Sequence, residues 1–266
     1  MTMPDGVIIR RWGIRDYMET HADMACFTRK RNAHTPDEIW RLQHPPVFTL
    51  GLAGKEEHVL AAGDIPVIRT DRGGQVTYHG PGQLVVYLLL DLARRGLTVK
   101  RYVYLLEQAL LETCRALGVD AERNAGAPGV YVQGKKIAAL GIRVKRGCSY
   151  HGLALNVDMK LAPFRRINPC GYPGLEVTQL ADLGCVCTVA GAFDVLLPHL
   201  MDQLEVNEKT SSLSGIFASP SGRGRRGAAG EGKRDSHDIV PSSTSLLSPG
   251  EESISSRLNL LVGNEQ

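Results

Sequence analysis

Chemistry concentrates in two short stretches of the chain. The first, Arg166-Ile-Asn-Pro-Cys170-Gly-Tyr-Pro-Gly174, sets a cysteine among prolines and glycines, a composition that reads as a loop. A thiol on a loop can be presented to a substrate, whereas Cys114 falls inside a helical pattern and reads as packed core. Cysteine attacks as the thiolate, so a neighbouring cation or base is needed to hold that form at neutral pH. Lys135, Lys136, His79 and His151 are the residues of suitable type. Spacing alone leaves nucleophile and inert thiol both open, because proximity in three dimensions decides between them.

The second stretch runs Asp71-Arg-Gly-Gly-Gln-Val-Thr-Tyr-His-Gly-Pro-Gly-Gln83. Its glycine pairs permit tight turns and close backbone approach around Arg72, Thr77 and His79, which leaves a ligand-binding loop and an ordinary turn-rich connection both open. The Lys-Ser/Thr ending of a phosphate-binding P-loop is absent. Metal is a competing use of such residues. Cys185-Val-Cys187 has no second Cys or His pair at zinc-site spacing, and the remaining histidines (His21, His34, His44, His58, His199, His237) stand singly, so neither a metal site nor a cofactor is expected.

The elements that must position these residues are legible in outline. Asp16 to Lys30 predicts a helix, and Val47–Leu50 a strand ended by Gly51. Val99, Val103, Leu106, Leu110, Cys114 and Leu117 recur at steps of three and four and predict a helix stopped by Gly118. Leu84 to Leu90 reads as a buried strand. Val130–Val132, Gln133-Gly134 and 136–144 predict a hairpin, followed by a strand over 150–157 in which apolar residues alternate. A last helix is expected over Thr188–Glu205, kinked at Pro198. Hairpin strands and separate helices together predict an α+β fold (of α/β type) with a mixed sheet.

Composition bounds the rest. The 266 residues carry 43% hydrophobic and 22% charged side chains, an ordinary globular balance, and no apolar run approaches the ~20 residues of a membrane span. A net charge of +3 excludes neither partner nor substrate but does not suggest nucleic acid. Between Lys135 and Arg166 eight basic residues meet one acid, Asp158, which reads either as a solvated basic face or as a basic rim around the mouth beside Cys170, with Arg146 and Arg165 in it. The N-terminal residues show no leader pattern, which predicts a cytoplasmic setting with the six cysteines reduced. From 207 to 266 there are 13 Ser, 8 Gly and 3 Pro with Phe217 the one aromatic, so a catalytic domain over 1–206 and a disordered tail over 207–266 are expected.

Taken together, Arg72–Gln83, Gly129-Val-Tyr-Val, Lys136-Ile-Ala-Ala-Leu-Gly141, His151-Gly-Leu-Ala-Leu-Asn-Val157 and Asn168-Pro-Cys-Gly171 resemble, in order, the motif series of the lipoyl(octanoyl) transferases, the LipB proteins. The resemblance spans about Val7 to Glu205. It implies the fold of biotin and lipoate protein ligase catalytic domains. It also implies transfer of an octanoyl or lipoyl group from octanoyl-acyl carrier protein to a lysine of lipoyl domains, through an acyl-enzyme on Cys170 with Lys136 as its catalytic partner. The acceptors so implied are the E2 subunits of 2-oxoacid dehydrogenases and the glycine cleavage H protein, with no nucleic acid or membrane involved. The implied substrate-binding residues are Arg72, Gly73, Gly74, Gln75, Val76, Thr77, Tyr78, His79, Ala139, Leu140, Gly141, Gly152, Leu153 and Ala154. An ATP-dependent ligase on the same scaffold and a non-catalytic carrier-binding module are the alternatives, and neither needs a nucleophilic Cys170.

Overall fold

The computed structural model describes residues 6–214 and 262–263. In chain order the elements are β1 (Ile8–Ile14), α1 (Tyr17–Lys30), β2 (Glu38–Gln43), β3 (Val47–Leu50), β4 (Val67–Arg69), β5 (Val76–His79), β6 (Gln83–Leu89), α2 (Val99–Ala116), β7 (Glu122–Arg123), β8 (Val130–Val132), β9 (Lys135–Lys145), β10 (Cys148–Asn156), α3 (Val189–Ser214) and β11 (Val262–Gly263), with short 3₁₀ turns between. The large sheet has the order β1-β2-β6-β10-β9-β8-β7, with β11 added beside β9; a second sheet has the order β4-β3-β5. In the large sheet the β1–β2 pair is parallel and the β6, β10, β9 and β8 neighbours are antiparallel, so that sheet is mixed.

Strand β6 shows why the sequence reads as a continuous apolar run there: it is buried on both faces. Leu84, Val86, Leu88 and then Leu90 point into a core shared with Val103, Leu106 and Leu110 of α2 and Phe193, Leu196 and Leu200 of α3. Val85, Tyr87 and Leu89 point the other way, against Met24 of α1 and Trp40. A third cluster, with Phe48, Val76, Tyr78 and Phe164, belongs to the small sheet. The first helix starts where Asp16 accepts from the Glu19 N–H, 3.0 Å away, and α2 starts where Thr98 does the same for Arg101. The β8–β9 hairpin turns through Gln133 and Gly134, both at positive φ.

Three expectations need correction. The 71–83 stretch is not loop throughout, because Val76–His79 forms β5, antiparallel to β3. Val76 and Tyr78 alternate into the small-sheet core, a two-residue period that the flanking glycines hid. The last helix runs to Ser214 rather than stopping near 205, and Pro198 lies inside it. No glycine or second proline stands between Pro198 and Gly215, and buried Leu196, Leu200 and Leu204 hold the helix across the one donor that proline lacks. The rest of the expected tail lies outside the described residues, apart from Val262–Gly263, which pair in parallel with Ile142 and Arg143. Finally, Arg146 is not at a catalytic rim. It sits in the β9–β10 turn and donates to the Thr28 and Arg29 carbonyls at 3.2 and 2.8 Å, closing the C-terminal end of α1.

Candidate active site

Lys136 and Cys170 are brought together by a strand-like return of the chain. The Lys136 N–H donates to the Glu176 carbonyl at 2.9 Å and the Thr178 N–H to the Lys136 carbonyl at 3.0 Å, so the segment just after Cys170 lies alongside the start of β9. From the other side, the Asn168 N–H donates to the His58 carbonyl at 2.8 Å, which anchors the segment just before it. Between these anchors Cys170 takes φ 57°, a left-handed conformation unusual for a non-glycine residue, in a 3₁₀ turn over Pro169–Gly171. The result is a half-buried thiol with the Lys136 Nζ 2.9 Å from its sulfur.

The lysine is itself buried, 4% exposed, and also donates to the Pro128 carbonyl at 3.0 Å. Burial pulls its pKa down, but attraction to Cys170 and Tyr131, with hydrogen bonds to both, outweighs this and raises it above the ordinary lysine value. Lys136 therefore rests as a cation beside the sulfur. Lys135, the residue before it, points away and pairs with Glu176 at 2.9 Å.

From this pair a cavity of about 260 Å³ runs between the α1-facing side of the large sheet and β5. It is slightly below the ~300–1,000 Å³ usual for small-molecule sites, so it suits a slim chain better than a bulky cofactor. Of the residues singled out from sequence, Arg72, Gly74, Gln75, Val76, Thr77, His79, Ala139, Leu140, Gly141, Gly152, Leu153 and Ala154 line it with Cys170 and Lys136. Gly73 and Tyr78 do not. The Gly73 N–H is taken by the Ile142 carbonyl at 2.9 Å, which removes it as an oxyanion donor, and Tyr78 packs edge-on against Phe164 in the small-sheet core. Sequence reasoning missed Tyr17, Ala53, Val85, Tyr87, Tyr172 and the 126–128 turn as cavity walls. They come from elements distant in sequence, and only the alternation of β6 carried a signal, for Val85 and Tyr87.

Arg72 holds the near wall. Its guanidinium donates to Thr49 Oγ1 at 2.9 Å and to the carbonyls of Thr49, Gly73 and Gln75 at 2.6, 2.9 and 2.7 Å, folding the 72–75 turn around a buried cation. Gly141 makes room for this turn, since a Cβ there would stand 3.1 Å from Arg72 Cδ and 3.2 Å from the Gly73 carbonyl oxygen.

The far wall is polar. His44 Nδ1 contacts the Arg15 carbonyl at 2.7 Å and so carries the proton, leaving Nε2 to accept from the Tyr87 hydroxyl at 2.7 Å. His79 Nδ1 likewise faces Gln83 Oε1 at 2.7 Å. Burial lowers His44 to about 4 and the two wall histidines, His79 and His151, to about 3 and about 4, so each is neutral at pH 7. None is the partner of Cys170.

The fold is that of the lipoate protein ligase catalytic domains, and its cavity is lined by a half-buried thiol beside a buried ammonium. Residues 16–201 match the family described as the lipoyl protein ligase A/B catalytic domain. The archaeal bipartite lipoate protein ligase of Thermoplasma acidophilum shares the fold, with a TM-score of 0.61 at 14% identity over 78% of this chain and 90% of that one. A lipoate-protein ligase A solved with ATP superimposes with a TM-score of 0.60 at 15% identity, over 80% of this chain and 94% of that one. Much nearer in sequence are octanoyltransferases. That of Chromobacterium violaceum is 54% identical over 77% of this chain and 99% of its own length, and that of Thiobacillus denitrificans 59% identical over 68% and 84%. The chain belongs to the lipoyl(octanoyl) transferase family, and is an acyltransferase of protein lipoylation. Among the described residues no helix is long and apolar enough to cross a membrane.

Proposed function

We propose that the protein moves an octanoyl group from the thioester of octanoyl-acyl carrier protein to a lysine of lipoyl domains, by way of a thioester on Cys170. The observation that carries this reading is the 2.9 Å contact between Lys136 Nζ and Cys170 Sγ in the lining of the cavity. The attacking species is the Cys170 thiolate, with the Lys136 ammonium beside it. The sulfur attacks the donor carbonyl, the carbon–sulfur bond to the carrier breaks, and the departing thiolate takes a proton from Lys136. Now neutral, Lys136 accepts a proton from the acceptor amine as that nitrogen attacks, and Cys170 leaves as thiolate beside a restored ammonium. Because a thioester is already activated, no nucleotide enters the balance.

The acyl chain occupies the cavity toward Val76, Val85, Ala139 and Ala154. Arg72, Gly74, Gln75, Thr77, His79, Leu140, Gly141, Gly152 and Leu153 complete its walls, and the Gly74 N–H replaces Gly73 as the candidate oxyanion donor. The catalytic unit holds the 16–201 family match and, because α3 is continuous to Ser214, extends past the expected boundary at 206. The acceptors are the E2 subunits of 2-oxoacid dehydrogenases and the glycine cleavage H protein, and the setting is the cytoplasm, where six free thiols stay reduced. Intact mass spectrometry after mixing with octanoyl carrier protein tests donor and nucleophile together. A single octanoyl adduct is expected, absent in Cys170→Ala. An adduct of equal yield in that variant, or formation of octanoyl-AMP from ATP and free octanoate, would replace this reading with another nucleophile or with a ligase.

A further inference from the structure

At the cavity wall, where His151 of β10 lines it, His21 of α1 and Asp71 ahead of the Arg72 turn converge on that histidine. Both histidines place Nε2 2.9 Å from the same oxygen, Oδ1 of Asp71, and the three atoms lie within 4.8 Å of one another. The two imidazoles stack at 5.4 Å between centroids, 20° from parallel. The other carboxylate oxygen, Oδ2, accepts from the Tyr150 hydroxyl, which leaves Oδ1 to the histidines alone. His151 is 1% exposed and held at φ 60°, outside strand geometry, and its Nδ1 has no hydrogen-bond partner. The reaction described above uses none of these groups.

We propose that His21, Asp71 and His151 form a binding site for a divalent transition metal, with zinc the best fit. Two imidazole nitrogens and one carboxylate oxygen are a borderline donor set that suits Zn²⁺, with water completing a tetrahedron. The side chains of His21 and Asp71 are 23% and 37% exposed, so an ion and its water reach the site from solvent. Metal–ligand bonds of ~2.0–2.1 Å need the donor atoms ~3.3 Å apart, so each ring must move roughly 0.4 Å from Oδ1 and the two Nε2 atoms, within 4.8 Å of each other, must settle at that same spacing. Tyr150 on Oδ2 then plays the part of the outer-shell group that fixes a ligating carboxylate. Such an ion would tie α1 to the Arg72 turn and to β10, stabilising the fold around the cavity.

Metal-free full-length protein titrated with Co²⁺ tests this through the visible ligand-field absorption of the ion. Saturation at one equivalent is expected, with Zn²⁺ displacing it and a rise in melting temperature of roughly 5–10 °C at a hundredfold excess over the dissociation constant. Both signals should be lost in His21→Ala and in His21→Gln, a pair that separates ligation from packing, and kept in Cys170→Ser. Signals that persist in both His21 variants, that vanish in Cys170→Ser, or that are missing from the wild type would overturn the site and leave Asp71 as a hydrogen-bonded anion only.

Discussion

Gly129 and Lys136 share one small space. A Cβ on Gly129 would stand 3.0 Å from Cε and 3.2 Å from Nζ of Lys136, and 2.7 Å from the Ala138 carbonyl oxygen, at a residue whose φ is already +133°. The Gly129 N–H donates to Glu107 Oε1 at 2.9 Å, so the backbone cannot simply back away. Gly129→Ala is expected to displace the ammonium from Cys170 and to cost about 1–3 kcal/mol of stability. Urea unfolding measures the stability, and the rate of Cys170 alkylation measures the displacement. Wild-type alkylation in the variant would show that the lysine tolerates the methyl group.

Lys136 is expected to set the reactivity of the thiol. In Lys136→Met the pH profile of iodoacetamide alkylation should shift upward and transfer should fall by at least a hundredfold. Lys136→Arg keeps a charge but cannot give up its proton, so fast alkylation with lost turnover is expected. An unchanged profile in Lys136→Met would remove the lysine from the chemistry.

Acyl length is read by the cavity. At ~0.8 kcal/mol per methylene, a hexanoyl donor loses ~1.6 kcal/mol of binding, a drop of about fifteenfold in kcat/KM relative to octanoyl. Competition between hexanoyl and octanoyl carrier protein measures the ratio. Equal use of the two would mean that the chain lies outside the cavity.

The protein should be acid-labile. His44, His79 and His151 are buried neutral, with folded pKa values depressed from 6.5 to about 4, 3 and 4. The unfolded chain therefore binds more protons, so this stability is fully present above pH 6.5 and is lost as pH falls from there toward 4. At pH 5 each histidine costs on the order of 2 kcal/mol. Asp71 acts in the same direction at lower pH, since burial raises its pKa but hydrogen bonds from His151, His21 and Tyr150 outweigh that and lower it. A melting temperature at pH 5 equal to that at pH 7 would show these rings already protonated in the fold.

By itself the sequence determined the units and most of the reactive residues. Periodicity marked α2 and the β8–β9 hairpin, because burial on one face leaves a repeat in the chain, and the flanking prolines and glycines marked Cys170 as a loop thiol. Tertiary structure decided what those residues meet. Lys136 and Cys170 are 34 positions apart, and nothing local distinguishes Lys136 from Lys135 except the strand alternation that turns one inward to the sulfur and the other out to Glu176. Charge counting placed Arg146 at the catalytic rim, but a charge carries no address, and the hairpin delivers it to the end of α1. The histidines that looked solitary in the chain gather because α1, the Arg72 turn and β10 enclose one cavity, and a side chain's neighbours across such a cavity are set by sheet order, which no spacing along the sequence records.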